Sequence, residues 1–270
     1  MPVDVAAEVL TNHPLSSEYN ILALAAPAIA RAAEPGQFVM VKAGTGQDPL
    51  LRRPFSVFEV LRDEAGAPTG ITLMNKRIGP STSLVYTARP GQVVSCLGPL
   101  GRPFSLVDTP TEAWMVAGGV GLAPFAELAA ALSRRGIRST LIYGARSGKE
   151  LFCLNLFRDL AVELVLTTED GSVGEHGRIT APLERQLAAR QSNDPVMLYA
   201  CGPEGMLAAT AKLAARFGRP CEVSVERLMG CGLGGCYSCV VPMRNEAGGF
   251  HHVRSCLSGP VLDGGQILWD

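Results

Sequence analysis

Four cysteines near the end of the chain, Cys231, Cys236, Cys239 and Cys256, are the residues best equipped for chemistry. Three lie in "MGCGLGGCYSCVVP" (Met229–Pro242) and the fourth in "VRSCLSGP". Their spacing is C-x4-C-x2-C-x16-C, and its first three members reproduce the spacing of plant-type [2Fe–2S] ligands. A thiolate-ligated cluster carries excess negative charge, which backbone N–H groups pointing at it stabilise. Gly230, Gly232, Gly234 and Gly235 allow a loop to wrap with its amides inward. The alternative is zinc, whose structural sites favour paired short spacings and for which His251 and His252 are available as substitute ligands.

The other four cysteines, Cys96, Cys153, Cys201 and Cys221, are isolated among apolar neighbours and read as small buried hydrophobes. The first residues, "MPVDVAAEVL", have no basic stretch followed by an apolar one, so a signal peptide is not expected. Disulfides are then not expected either. At 270 residues the chain can form two domains with real cores. A net charge of −1 gives no sign of a nucleic-acid partner. Ala113 to Leu132 is apolar apart from Glu127, but Gly118, Gly119, Gly121 and Pro124 divide it. A buried strand, a turn and a helix explain it better than a membrane span of roughly 20 unbroken apolar residues.

These sites need elements to position them. Up to about Phe104, short apolar runs alternate with turn signals: "FVMVKA" (Phe38–Ala43), "FSVFEV" (Phe55–Val60) and "ITLMNK" (Ile71–Lys76), against "EPGQ" and "ARPGQ". Such spacing predicts a small antiparallel β-barrel. "GPSTSLVYT" (Gly79–Thr87) predicts one short helix capped by Ser81 or Thr82. After "GPLGRPFSLVDTP", strands and helices alternate. "AWMVAGG", "STLIYGA", "VELVLTTE" and "PVMLYACG" read as strands. "APFAELAAALSRRG", "GKELFCLNLFRDL", "ITAPLERQLAAR" and "EGMLAATAKLAARFG" read as helices. That alternation predicts a parallel α/β sheet. The expected division is 1–104 barrel, 105–225 α/β domain and 226–270 a cysteine tail trailing after it.

Two strand ends in the α/β half carry glycine. "AGGVGLAP" (Ala117–Pro124) joins a strand to a helix, where Gly118, Gly119 and Gly121 could admit a phosphate to a helix N-terminus. It lacks the generic dinucleotide fingerprint, because Pro124 stands at the third glycine position; a plain turn is the alternative. "YACGPEGM" (Tyr199–Met206) puts Cys201 and Gly202 at a second such end, and both ends could face one crevice. In the barrel, "LRRPFS" (Leu51–Ser56) offers Arg53 for a phosphate, Phe55 to pack on a flavin and Ser56 to bond its edge. The same residues also suit an ordinary strand entry.

Taken in order, "RRPFS", "GPLG", "GGVGLAP" and "YACGPEGM" resemble the ferredoxin-reductase superfamily over roughly residues 1–225. The resemblance implies FAD on the barrel and NAD(P)H on the α/β domain. It places flavin contacts on Arg53, Pro54, Phe55 and Ser56, on Met74, Asn75 and Lys76, and on Ser81 and Thr82. The family commonly has Tyr-Arg where this chain has Asn75-Lys76, and Gly where it has Ser81. Lys76 keeps the charge but loses the bidentate fork. The tail is too short for a complete ferredoxin domain, as the oxygenase reductases carry. It resembles instead the electron-transfer subunits of NAD-linked, heteromeric dihydroorotate dehydrogenases. That likeness implies a cytoplasmic oxidoreductase subunit of pyrimidine biosynthesis, without nucleic-acid or membrane partners. It implies a partner subunit bearing FMN in a 2+2 heterotetramer, and electrons passing through a [2Fe–2S] cluster and FAD to NAD+. No nucleophile–base pair or paired carboxylates stand out, as fits chemistry carried by cofactors. Two other readings remain: a reductase subunit serving a hydrogenase or ferredoxin, and a zinc-stabilised nucleotide-binding regulator. Arg146 and Lys149 could take the 2′-phosphate of NADP or be merely solvated.

Overall fold

The structure is a computed structural model and describes residues 1–44, 46, 48–191, 194–245 and 248–269. Seven strands come first: β1 (Val3–Pro14), β2 (Tyr19–Ala25), β3 (Phe38–Lys42), β4 (Arg53–Ser56), β5 (Glu59–Arg62), β6 (Pro68–Lys76) and β7 (Val93–Leu100). Helices α1 (Pro27–Ala30) and α2 (Pro80–Thr87) lie between them. The strands pair antiparallel in the order β4-β3-β7-β1-β2-β6-β5. The two edges, β4 and β5, are separated in sequence by Val57 and Phe58 alone. A link that short spans only about 10 Å, so the sheet must curl until its edges nearly meet. The Val57 N–H donates to Gln37 O beside one edge and the Phe58 N–H to Thr72 O beside the other, at 3.0 and 2.9 Å. "FSVFEV", expected as one strand, is therefore two strands on opposite edges. Leu22, Leu24, Val39, Val41, Ile71 and Leu73 fill the interior.

Helix α2 is capped otherwise than expected. Its N-cap is Gly79, and Thr82, three residues in, accepts the Ile78 and Gly79 N–H groups on its hydroxyl at 2.8 and 2.9 Å. A row of asparagines holds the helix to the barrel. Asn12 Nδ2 donates to the Val85, Tyr86 and Ala88 carbonyls, Asn20 Nδ2 to Asn12 Oδ1, and Asn75 Nδ2 to Asn20 Oδ1.

The second sheet contains β8 (Glu112–Gly118), β9 (Ser139–Ala145), β10 (Glu163–Thr168), β11 (Glu175–His176), β12 (Val196–Cys201) and β13 (Cys221–Ser224). These run parallel, in the order β11-β10-β9-β8-β12-β13. Their near-continuous burial suits a sheet covered on both faces. The covering helices are α3 (Phe125–Arg134), α4 (Leu154–Asp159), α5 (Thr180–Ala188) and α6 (Glu204–Arg216). "GKELFCLNLFRDL" is not one helix. A 3₁₀ turn at Gly148–Glu150 comes first, and Cys153, at φ 57°, breaks the chain direction before α4. Among the described residues no helix is long and apolar enough to cross a membrane.

The tail does not merely trail. It forms a hairpin of β14 (Val240–Arg244) and β15 (Phe250–Arg254), a short helix α7 (Ser255–Ser258), and a last strand β16 (Val261–Asp263). Strand β16 adds antiparallel to β13 and completes the second sheet, which is thus mixed at that edge.

The two halves are joined through Glu127 of α3. Its backbone N–H donates to Phe58 O, and its Oε2 accepts the Val60 N–H, both at 3.0 Å. Beside it, burial first and then the Glu127 carboxylate hold the Glu59 carboxyl above the ordinary range, against the opposing hydrogen bond from Thr72. Between its ordinary and its raised value, the folded protein binds the proton that the unfolded chain releases. Stability therefore falls as pH rises through that window. Glu59→Gln should raise the melting temperature near neutral pH, by about 1–4 °C for a chain of this size. The gain should vanish at about pH 4, below the window. A pH-independent difference in thermal scans would contradict this.

Candidate functional site

Two adjoining clefts and one cysteine loop form the candidate site. The order of the second sheet reverses between β8 and β12, and a crevice opens outside their C-terminal ends, where α/β sheets bind ligands. It holds about 610 Å³ and is lined by Gly118, Gly119 and Gly202, with Arg146, Glu150, Glu169 and Arg178 further out. Gly121 is not on its wall. A Cβ there would lie 2.2 Å from the Cys201 carbonyl oxygen, so this glycine serves close packing of the turn on β12. Cys201 is also absent from the crevice; it lines the neighbouring cleft instead. Burial drives its thiol far above the usual range.

The second cleft, about 390 Å³, lies between the barrel, the α/β half and the start of the tail. Pro54, Phe55, Ser56, Met74, Asn75, Lys76 and Thr82 line it, all expected flavin contacts. Ser81 does not, and neither does Arg53, whose Nη1 donates to the Leu51 and Arg52 carbonyls at 2.9 and 3.1 Å. Phe38, Val120, Pro124, Glu226 and Met229 also form the wall; sequence reasoning missed them because they come from separate elements. Asn75 is fully buried, and its Nδ2 is committed to Asn20 Oδ1 and Thr82 O. Its Oδ1 has no partner. A buried acceptor left unpaired costs about 1–3 kcal/mol, which a donor on a bound group would recover. An isoalloxazine–ribityl group, with a flat ring face for the apolar wall and donors in its one ring N–H and its ribityl hydroxyls, fits this wall. Lys76, Val120 and Glu226 border both clefts, which therefore adjoin. Glu226 is open to solvent within them, yet the surrounding walls raise its carboxyl, with Lys76 opposing.

All eight cysteines are free. Cys153 is half-exposed, whereas Cys96, Cys201 and Cys221 are buried as expected. In the tail, hydrogen bonds from Ser238, foremost its hydroxyl at 3.1 Å, and then from Cys231 bring the Cys236 thiol down to about 6. Cys256 is pushed up to about 12 by burial and then by Cys239 beside it. Cys231 thus neighbours Cys236 and Cys239 neighbours Cys256, and Cys231 also acts on Cys256. Among the described residues no three Cys, His, Asp or Glu side chains close on a single ion. Four thiols gathered here match the four thiolates of a two-iron cluster, two on each iron. The Leu233 N–H points at Cys231 Sγ at 3.4 Å, and Gly234 gives Cys256 a backbone hydrogen bond. Gly232, at φ +71°, also has a packing role, because a Cβ would come 2.5 Å from Met40 Cγ. Cys239 and Cys256 pack with Phe38, Met40, Leu97, Leu100 and Met229 against the barrel.

A curled antiparallel sheet beside a doubly wound one, with joined clefts at their seam, defines the class of flavin–nicotinamide oxidoreductases. A solved NADH-dependent reduced ferredoxin–NADP oxidoreductase superposes with a TM-score of 0.84 at 25% identity, covering 98% of this chain and 91% of that one. A ferredoxin–NADP+ reductase from Neisseria gonorrhoeae, with bound FAD and NADP, shares the fold over 80% of this chain and 92% of its own (TM-score 0.67, 19% identity). Residues 115–212 match the oxidoreductase NAD-binding domain, and residues 226–268 the iron–sulfur cluster binding domain of dihydroorotate dehydrogenase B. The chain is 36% identical to the dihydroorotate dehydrogenase B (NAD(+)) electron transfer subunit of Desulforamulus reducens, over 98% of both chains. It is 37% identical to the Geobacillus kaustophilus subunit of the same name over 87% of both. The chain belongs to the family of dihydroorotate dehydrogenase B electron transfer subunits.

Cys236→Ser should remove most of the iron from the purified protein and weaken its visible absorption. Iron content and spectrum equal to the unaltered chain's would contradict the ligand assignment.

Proposed function

We propose that this chain carries electrons from dihydroorotate, oxidised on an FMN-bearing partner subunit, to NAD+ in the cytoplasm, within a 2+2 assembly. The observation that carries the reading is the alignment of three sites with shared walls. Phe38 and Met229 belong both to the packing around Cys239 and Cys256 and to the flavin cleft. Lys76, Val120 and Glu226 belong both to that cleft and to the nucleotide crevice. The reading assigns 1–104 to the flavin, 105–225 to the nucleotide and 226–270 to the cluster, with Val261–Asp263 serving as an edge strand of the nucleotide sheet.

When bound, FAD links one-electron exchange with the cluster to two-electron hydride exchange with NAD+. The chain's residues supply the setting. Cys231, Cys236, Cys239 and Cys256 hold the irons. Phe55, Met74 and Phe38 give the flavin ring apolar walls, Ser56 and Asn75 offer it polar contacts, and Thr82 and the start of α2 border its phosphate end. Gly118, Gly119 and Gly202 let a nicotinamide dinucleotide approach the backbone at the switch point. Around the cysteine loop, Leu228 is 88% exposed and Tyr237 63%, with Leu233 and Leu257 nearby and also exposed. An apolar rim of this kind suits a protein partner. A reductase subunit serving ferredoxin shares the fold, but full-length identity is higher to the dihydroorotate subunit, 36% against 25%.

The isolated chain should oxidise NADH with artificial acceptors and fail to oxidise dihydroorotate. Adding the FMN-bearing partner should create dihydroorotate:NAD+ activity, and stripping iron from this chain should abolish it while sparing NADH oxidation. Equal coupled rates with and without the cluster would make the cysteine loop a structural element instead.

A further inference from the structure

At the outer lip of the nucleotide crevice, Arg146 follows β9 and Glu150 ends the 3₁₀ turn that comes next. Arg146 Nη2 donates to Glu150 Oε1 at 2.5 Å, and its Nε to Oε2 at 3.3 Å. Both carboxylate oxygens therefore sit on the guanidinium fork, the geometry that also grips a phosphate monoester. Glu150 is held there by its backbone. Its N–H donates to Ser147 O, and its carbonyl accepts the Tyr143 hydroxyl, both at 3.0 Å. The Gly148 N–H ties the same turn to Ser172 Oγ at 2.8 Å.

The end of β10 is fastened to this lip. The Glu169 N–H donates to Ala145 O and the Asp170 N–H to Arg146 O, each at 3.1 Å. The Asp170 carboxylate is used within its own turn, accepting the Ser172 N–H and hydroxyl. Glu169 lines the crevice without a side-chain partner among the described residues. Arg178, the other arginine on the wall, lies nearer the strand ends. The preceding Gly177 N–H bonds Thr168 O, and the following Ile179 packs on Gly144.

We propose that the Arg146–Glu150 pair makes the crevice select a dinucleotide with a free ribose 2′-hydroxyl, because Glu150 occupies the fork that a 2′-phosphate would need. The proposal rests on the nucleotide reading of the crevice. A 2′-phosphate brings about −1.5 to −2 charge. At this lip it must either displace Glu150 or face the carboxylates of Glu150 and Glu169. A ribose hydroxyl is uncharged and meets neither obstacle. The pair lies at the surface and adds little to folding stability. Its effect is on the choice of ligand, achieved by a repulsive element against the 2′-phosphate, and it weakens as salt rises.

The test is calorimetric titration of the flavin-loaded full chain with NAD+ and with NADP+ at low ionic strength. Glu150→Gln keeps the side-chain shape and removes the charge. It should tighten NADP+ binding by about tenfold or more while changing NAD+ binding by less than about threefold. Adding Arg146→Ala to that variant should return NADP+ affinity toward its starting value. NAD+ binding in the same samples reports that the crevice is intact. Unchanged NADP+ affinity in Glu150→Gln with NAD+ bound normally overturns the proposal, as does a gain that survives the loss of Arg146. Failure of the unaltered protein to bind either nucleotide would overturn the nucleotide reading itself.

Discussion

An apolar seam between the cysteine tail and the barrel governs the rest of the molecule. Phe38 and Met40 of β3, Leu97 and Leu100 of β7, and Met229, Cys239 and Cys256 of the tail are buried together. Each large side chain buried there contributes about 1.5–3 kcal/mol. The seam fixes where Cys239 and Cys256 stand relative to the second cleft, whose wall Phe38 and Met229 also form. It also dictates local sequence. Gly232 meets Met40 so closely that no side chain fits, and a Cβ on Gly234 would lie 2.4 Å from Leu257 Cδ1. Beyond the loop the tail must return to the α/β half, where β16 pairs with β13 and the Val225 N–H donates to Pro260 O. The tail is thus a strap across both halves, and the cleft exists where it passes.

The seam also accounts for the division of labour. The titratable groups that stand out have their own tasks. Glu127 joins the halves, Glu226 faces Lys76 at the junction of the clefts, and the Tyr143 hydroxyl is bonded to backbone carbonyls of Gly119 and Glu150. What the chain provides is placement, polarity and exclusion of water, which is the protein's share of the work when cofactors carry the electrons.

Much of this was legible in the sequence wherever one local rule decides. Alternating strands and helices gave the doubly wound half, and cysteine spacing with interleaved glycines gave the cluster loop. Legibility ended where distant segments meet. "FSVFEV" reads as one apolar strand, and only barrel closure splits it at Val57–Phe58. Nothing in "GPVLDGG" announces that Val261–Asp263 will join a sheet whose other strands ended near Ser224. Gly121 looked like a phosphate contact, because a glycine needed for packing and one needed for a ligand are the same letter. Arg53 shows a related limit: its motif suggested a phosphate anchor, while its guanidinium here is turned to nearby carbonyls. Asn75, which stands where the family commonly has tyrosine, lines the second cleft with its side-chain oxygen buried and unpaired, a feature no local pattern announces.

The central claim is that nucleotide crevice, flavin cleft and cysteine loop form one continuous electron path within this chain. Anaerobic addition of NADH to the purified chain, followed by low-temperature electron paramagnetic resonance, tests it directly. The account predicts loss of the oxidised flavin absorption together with a half-integer-spin signal from a reduced two-iron cluster, in protein that retains its FAD. Flavin reduced by NADH with an iron-loaded loop that stays silent would contradict it.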